Sequence, residues 1–314
     1  MTANDAMHLV ETRMFEVVHS DVKILQEASH HILAAGGKRV RPRMLLLAYE
    51  ACGGTHLERA VPLAAAGELV HTASVVHADI NDHGVVRRGR PSVNAKWGRT
   101  FALLTGDFLF TKVYELMAPY KDLNVDLADA TVALVEGETL QAAAVKDNHF
   151  TREVYYQIIA RKTAALFRAS AVLGGKLASA DPQHIEALGE YGFNVGLAFQ
   201  IIDDVLDLTA DETQLGKTSG IDLAQGRGYV AAYKTNGDAS NGVAVAEAVL
   251  TEQVPADPIT SIKQKLLQGD AIHEARLNAR RLADLAISTL SVLPDSAARR
   301  GLIDLANMVV DRDH

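Results

Sequence analysis

The sequence predicts an all-α chain folded as one domain over residues 1–314, with roughly ten to thirteen helices of the usual length, about 11–12 residues each. Three observations carry that prediction. Apolar residues recur at helical spacing, and strictly alternating, strand-like runs are scarce. Neither a fixed-period repeat nor a low-complexity linker divides the chain. Its 314 residues, 48% of them hydrophobic, suffice to bury a large core without disulfides.

Taken in order, the first helix breaks fall at Gly36-Gly37 and Gly53-Gly54. Val61, Leu63, Ala64, Leu69 and Val70 then mark the apolar stripe of a helix. It leads into an acidic cluster, His77-Ala78-Asp79-Ile80-Asn81-Asp82, and breaks at Gly84. A further break is expected at Gly174-Gly175. Leu197, Phe199, Ile201, Val205 and Leu208 place a second acidic cluster, Asp203-Asp204-Val205-Leu206-Asp207, on a mostly buried helix. Glycines between 216 and 228 interrupt the pattern. The stretch 235–262, rich in Gly, Asn, Asp and Pro, reads as surface loops around a short helix at 243–250. Spaced Ala and Leu over 271–293 predict a helix that stops at Pro294, after which Asp295 or Ser296 can cap the next.

Composition excludes several functions. Thirty-nine acidic against 31 basic residues give a net charge of −8, which argues against a nucleic-acid binder. Anionic small molecules stay open as partners, because a few cations focused in one cleft outweigh the global sign. Cys52 is the single cysteine, so neither an intrachain disulfide nor a cysteine-based zinc cluster can form. The beginning, MTANDAMHLVETRM, is not a secretory signal, and no run approaches the eighteen or so apolar residues of a transmembrane segment. A cytoplasmic protein with no transmembrane segment is expected.

The second acidic cluster carries the strongest chemical signal. Asp203 and Asp207 lie four residues apart, so a helix presents both carboxylates on one face with Asp204 alongside. Clustered carboxylates repel unless a cation neutralises them, and few anionic oxygens with room for water and phosphate suit Mg²⁺. The first cluster offers Asp79 and Asp82, followed at once by Arg87 and Arg88 in Gly84-Val85-Val86-Arg87-Arg88-Gly89-Arg90-Pro91. Carboxylates with metal, facing guanidinium forks, make a diphosphate site in outline. Gly36-Gly37-Lys38-Arg39-Val40-Arg41-Pro42 suits an anion site at a helix start, although its spacing is not that of a Walker A loop. Taken singly, this loop is more often an ordinary basic surface. Lys162, in an Ala- and Leu-rich helical stretch, and Lys217, between glycines after the second cluster, are candidate anion ligands.

Together these segments resemble the trans-isoprenyl diphosphate synthase (polyprenyl synthetase) family. The resemblance runs in order through GGKRVRP, HTASVVHADINDHGVVRRGRPS, LLTGD, GETLQ, RKTAALF, FQIIDDVLD, GKTSGIDLAQGR and LPDSAARRGLIDLANMVVDRD. It implies a helical bundle around a central cavity, the isoprenoid synthase fold. It also implies head-to-tail transfer of an allylic diphosphate onto isopentenyl diphosphate with Mg²⁺ as cofactor. By position, Asp79, Asp82, Asp203, Asp204 and Asp207 then hold the metal. Lys162, Lys217 and Arg87 grip the leaving diphosphate, while Thr163 and Gln200 present oxygen dipoles to the allylic cation. Lys38, Arg41, His71 and Arg88 match the isopentenyl diphosphate site. Arg227 stands where a lysine is usual, and Asn94 where His is frequent.

One departure concerns the metal. The family's first motif is Asp-Asp-x-x-Asp, and here its leading position is Ala78. Asp79 points roughly a quarter turn or more away on a 3.6-residue helix and cannot replace it. Reduced turnover of an otherwise intact catalyst is expected, and a low-activity or regulatory diphosphate-binding subunit of a heteromeric synthase is the alternative. A class I terpene cyclase fits less well, because it has no use for a second Asp-rich cluster or an isopentenyl site. Family members set product length one helical turn below the first motif, where Ala73 and Ser74 are both small. A product longer than C20, in the C30 to C50 range, is expected unless Phe101, Phe108 or Met117 closes the pocket. The family's usual assembly, a homodimer, is expected to pack through residues 103–110.

Overall fold

A computed structural model of the chain describes residues 3–147, 149–209, 228 and 270–312. Among them the chain is helical almost throughout. In order it forms α1 (Ala3–Val17), α2 (Lys23–Leu33), α3 (Val40–Ala51), α4 (Val61–Asn81), α5 (Val93–Trp97), α6 (Arg99–Met117) and α7 (Leu123–Lys146). There follow α8 (Arg152–Ile159), a π-helical turn (Ala160–Ala164), α9 (Ala165–Leu177), α10 (Pro182–Thr209), α11 (Ala271–Thr289) and α12 (Ala297–Val310). The expected breaks at Gly36-Gly37, Gly53-Gly54 and Gly84 all fall between helices, and Ser296 caps α12 by accepting from Arg299 N at 3.0 Å.

The expected break at Gly174-Gly175 does not occur, for both glycines lie inside α9. They are there for contact. A Cβ at Gly174 would collide with the Leu45 carbonyl oxygen and lie 2.8 Å from Ala48 Cβ, so α9 presses directly on α3. One at Gly175 would come within 2.9 Å of Leu188 on α10. Sequence alone does not distinguish a glycine that ends a helix from one that lets two helices touch.

The one sheet among the described residues is a short hairpin after α4, β1 (Val86–Arg87) with β2 (Arg90–Pro91), in register Val86↔Pro91 and Arg87↔Arg90. Its two-residue loop, Arg88-Gly89, has φ of 52° and 72°. Two left-handed residues in succession match the right-handed twist of a tight hairpin.

The buried core forms two apolar clusters. One gathers α1, α2, α4 and α6, and the other α8, α10, α11 and α12, with α3 and α9 contributing to both. In α11, Ala275, Ala279, Ala283 and Ala286 are fully buried, a small-residue stripe that lets α11 lie close along α10. The loops and short helix expected at 235–262 lie outside the described residues.

Candidate active site

The basic side of the site is built by the turn into α3. Gly37 adopts φ 149°, and a Cβ there would come within 2.6 Å of Arg88 Nη1. The bare backbone therefore lets the hairpin's guanidinium rest on the Gly36-Gly37 loop. Arg39, at φ 47°, is buried in structural contacts, donating to Glu68 at 2.9 Å and to the Leu33 carbonyl at 3.2 Å. Arg41 is buried with its guanidinium stacked 4.4 Å over the Phe167 ring. Burial brings its pKa down to about 10, with Glu68 and Asp203 opposing the fall and Arg88 adding to it. Burial, followed by Arg41, Arg88, Arg87 and Arg39, holds His71 well below the usual imidazole range. Lys38 is lowered by burial and by Arg312, against the pull of Asp203. Cations gathered at such electrostatic cost prefer an anion between them.

At the end of α4 the acidic residues part company. Asp79 is 1% exposed and accepts from Arg87 Nε at 3.0 Å and Nη2 at 2.5 Å. Its Oδ1 lies where a Cβ on Gly84 would approach to 3.0 Å, so the carboxylate is sealed under the start of the hairpin. Ala78 and Asp82, one turn apart, are half-buried, and Asp82 ends the helix. The structure thus brings Asp79 to Arg87 and separates it from the face shared by Ala78 and Asp82. His77 packs into the space left by Gly106, where any Cβ would strike its ring, and lies 3.3 Å from Asp107. His77 and Asp107 both belong to motifs visible in the sequence, and the sequence by itself gives neither a role.

The π-helical turn places Lys162 and Thr163. Its backbone lies against α7 because residue 137 is glycine, whose Cβ would otherwise stand 2.6 Å from Lys162 N. Lys162 Nζ meets Glu138 at 3.0 Å and Gln141 Oε1 at 3.3 Å, both on α7. Thr163 donates to Gln200 Oε1 at 2.8 Å, and Gln200 Nε2 donates to Asp204 Oδ1 at 2.8 Å. Asp204 also accepts from Tyr155 at 2.7 Å. On the same helix Asp207 is 1% exposed, whereas Asp203 keeps 41% of its side chain exposed and pairs with Arg312 at 2.9 Å. Arg312 in turn stacks 4.2 Å over Phe199. Glu138, Gln141, Tyr155 and Arg312 do not stand out as site residues in the sequence. The GETLQ motif contains the first two and the terminal LPDSAARRGLIDLANMVVDRD motif contains Arg312, while only the fold brings Tyr155 to the site. Lys217 and Arg227 lie outside the described residues.

Whether these donors fit Mg²⁺ depends on who else supplies oxygen. Among the described residues, no three His, Cys, Asp or Glu side chains are grouped to hold a metal ion by themselves. Asp82, at the end of α4, and Asp203 and Asp207, on α10, are nonetheless hard oxygen donors, and Asp203 acts electrostatically on Lys38 and Arg41. That set fits a cation shared with a phosphate-bearing ligand, since Mg²⁺ keeps one or two carboxylates and completes its shell with water and phosphate oxygens.

Below the first motif, Ala73 is fully buried in the apolar cluster, and Ser74 is half-buried with its hydroxyl donating to the His71 carbonyl. Phe101 is 40% exposed and turned outward, Phe108 is half-buried, and Met117 is fully buried.

Comparison with known proteins gives a consistent result. The family model for polyprenyl synthetase matches residues 22–254. Octaprenyl diphosphate synthase of Escherichia coli is 35% identical over 100% of this chain and 97% of its own length. Geranylgeranyl diphosphate synthase of Saccharolobus solfataricus is 33% identical over 98% of this chain and 96% of its own. The crystal structure of a Caulobacter crescentus polyprenyl synthase, complexed with calcium and isoprenyl diphosphate, superposes with a TM-score of 0.91. It is 33% identical, over 99% of this chain and 96% of that one.

Proposed function

The chain belongs to the polyprenyl synthetase family, and from that premise we propose that it is a Mg²⁺-dependent prenyltransferase joining isopentenyl diphosphate to an allylic diphosphate. The observation that supports this best is the meeting of two opposed chemistries. Asp203 on α10 pulls upward on the pKa of Lys38, in the turn before α3, and of Arg41, within that helix, and it pairs with Arg312 at 2.9 Å. A cation pocket without metal ligands therefore adjoins a carboxylate face, as two diphosphates with different needs require.

In this reading Lys38, Arg41 and Arg88 hold the isopentenyl diphosphate, with His71 uncharged among them. Lys162 and Arg87 turn to the allylic diphosphate, each exchanging a carboxylate partner, Glu138 or Asp79, for phosphate oxygens. Asp82, Asp203 and Asp207 would hold Mg²⁺, which when bound acts as a Lewis acid on the departing diphosphate. Thr163 and Gln200 face the allylic carbon with oxygen dipoles fixed in advance, which stabilises developing positive charge without reorganisation. The isopentenyl double bond attacks that carbon, and the released diphosphate takes the proton.

Ala78 deprives the first motif of one carboxylate, and we expect it to slow turnover without disturbing the fold. Ser74 and Ala73 leave the space beneath that motif unblocked by aromatic groups, which favours a product longer than C20. Incubating the chain with Mg²⁺, farnesyl diphosphate and isopentenyl diphosphate, followed by product analysis, tests the reading. Prenyl products beyond C20 support it. Substrate binding with no elongation, restored only by adding a second synthase subunit, would instead establish the regulatory role that Ala78 also allows. The exposed apolar side chains Leu103, Leu104, Val132 and Val135 favour a homodimer, and no described helix is long and apolar enough to cross a membrane.

A further inference from the structure

A buried carboxylate in an apolar helix needs a reason, and Asp204 is 6% exposed among the fully buried Ile201, Ile202 and Val205. Tyr155 on α8 donates to its Oδ2 at 2.7 Å, and the Gln200 amide nitrogen donates to Oδ1 at 2.8 Å. The chain continues from Gln200 Oε1, which accepts from Thr163 at 2.8 Å. Three short bonds thus join α8, α10 and the π-helical turn.

The direction of this chain follows from its acidic member. Both oxygens of Asp204 accept, so Tyr155 donates and Gln200 presents its nitrogen to Asp204. The amide oxygen of Gln200 is then forced towards Thr163, whose single hydroxyl proton is directed to it. Thr163 Oγ1 and Gln200 Oε1 then have only lone pairs left to offer, and the bonds of the series polarise one another in the same sense. If Asp204 were replaced by a group that also donates, the Gln200 amide could turn over and present its N–H instead.

We infer that Tyr155 and Asp204 are positioning residues that orient Gln200 and Thr163, so that both side chains turn their oxygen dipoles on the allylic carbon as positive charge develops there. The inference rests on the prenyl-transfer reading and deepens it. It assigns Asp204 to the protein's own hydrogen-bond chain in place of the metal, because both its oxygens already accept from protein donors.

Two ligands separate positioning from packing without any turnover. One is an allylic diphosphate analogue bearing a fixed ammonium at the reacting end, and the other is the thiolodiphosphate of the same chain length, which carries no positive charge there. Calorimetric titration in Mg²⁺ should show Tyr155→Phe weakening the ammonium analogue about tenfold, the scale of one lost hydrogen bond, with the thiolodiphosphate unchanged. Asp204→Asn should lose at least as much for the ammonium analogue and leave the Mg²⁺ concentration for half-saturation unchanged. In turnover, Tyr155→Phe should lower kcat with KM for both diphosphates retained. Equal weakening of both analogues, or of neither, in a variant that melts as the parent does overturns the inference. So does an increased Mg²⁺ requirement in Asp204→Asn, which would make Asp204 a metal ligand. If Tyr155→Phe does not fold, Asp204→Asn decides between positioning and packing on the same two ligands. A parent chain that binds neither analogue sinks the prenyl-transfer reading itself, whereas binding both with no charge preference sinks only the role of the dipoles.

Discussion

Asp79 and Asp82 are three residues apart on α4 and meet different surroundings: one is locked to Arg87 beneath the hairpin, the other ends the helix half-buried. The position that would share the open face with Asp82 is Ala78, so restoring a carboxylate there should restore function locally. Ala78→Asp should raise kcat about tenfold or more, each tenfold corresponding to about 1.4 kcal/mol of transition-state stabilisation. Equal product-formation rates for the two chains would show that Ala78 does not limit turnover. His71 supplies a second test. It is held neutral in the fold, while the unfolded chain protonates it near pH 6.5. Below that pH the unfolded state binds more protons, so stability falls with decreasing pH, by up to about 1.4 kcal/mol per pH unit for this one group. Diphosphate placed among the arginines raises the histidine pKa again, so binding near pH 6 should take up a proton. Calorimetry in buffers of different ionisation enthalpy reads this directly, and His71→Gln should abolish it. The spacing of the carboxylates and the order of the basic motifs were legible in the sequence at this scale. Tyr155 and Arg312 were not, because each meets its α10 partner, 49 and 113 residues away respectively, only through the fold.

Elements were legible where hydrophobic period and punctuation agreed, and illegible where glycine served contact. Gly36-Gly37 and Gly53-Gly54 lie between helices, whereas Gly174 sits in mid-helix against the backbone of α3. The distinction is measurable. Gly174→Ala places a methyl against the Leu45 carbonyl and 2.9 Å from Tyr49 N, atoms that cannot retreat without moving α3. Overpacking of this kind costs about 1–3 kcal/mol and outweighs the gain of about 1 kcal/mol from helix propensity. Gly301→Ala in α12 meets chiefly the tip of Leu47 at 2.8 Å, which can rotate away. Denaturant unfolding should therefore show the first variant destabilised by up to about 2 kcal/mol and the second nearly neutral. On α4, Ser74 and Ala73 were expected to act alike, but Ala73 is sealed in the apolar cluster and Ser74 is half-buried. Ser74→Phe should shorten the product with the fold retained. An unchanged product distribution would place the floor of the pocket elsewhere.

At the scale of the molecule, a net charge of −8 coexists with a cluster of Lys38, Arg41, Arg87 and Arg88 drawn from the turn into α3, α3 itself and the hairpin. Charge balance alone says little about such a chain, since the site depends on where few cations converge. The outer surface carries the opposite anomaly. Leu103 and Leu104 on α6 are 49% and 48% exposed, and Val132 and Val135 on α7 are 58% and 53% exposed. Exposed large apolar side chains on these two helices are what the proposed homodimer would cover, and charge placed there should oppose that burial. Sedimentation of the chain should give a dimer, and the double variant Leu104→Asp, Val132→Asp should shift it to monomer. These positions lie outside the proposed substrate contacts, so the monomer should still bind Mg²⁺ and diphosphate. A parent chain that sediments as a monomer at micromolar concentration would remove the second copy from this face.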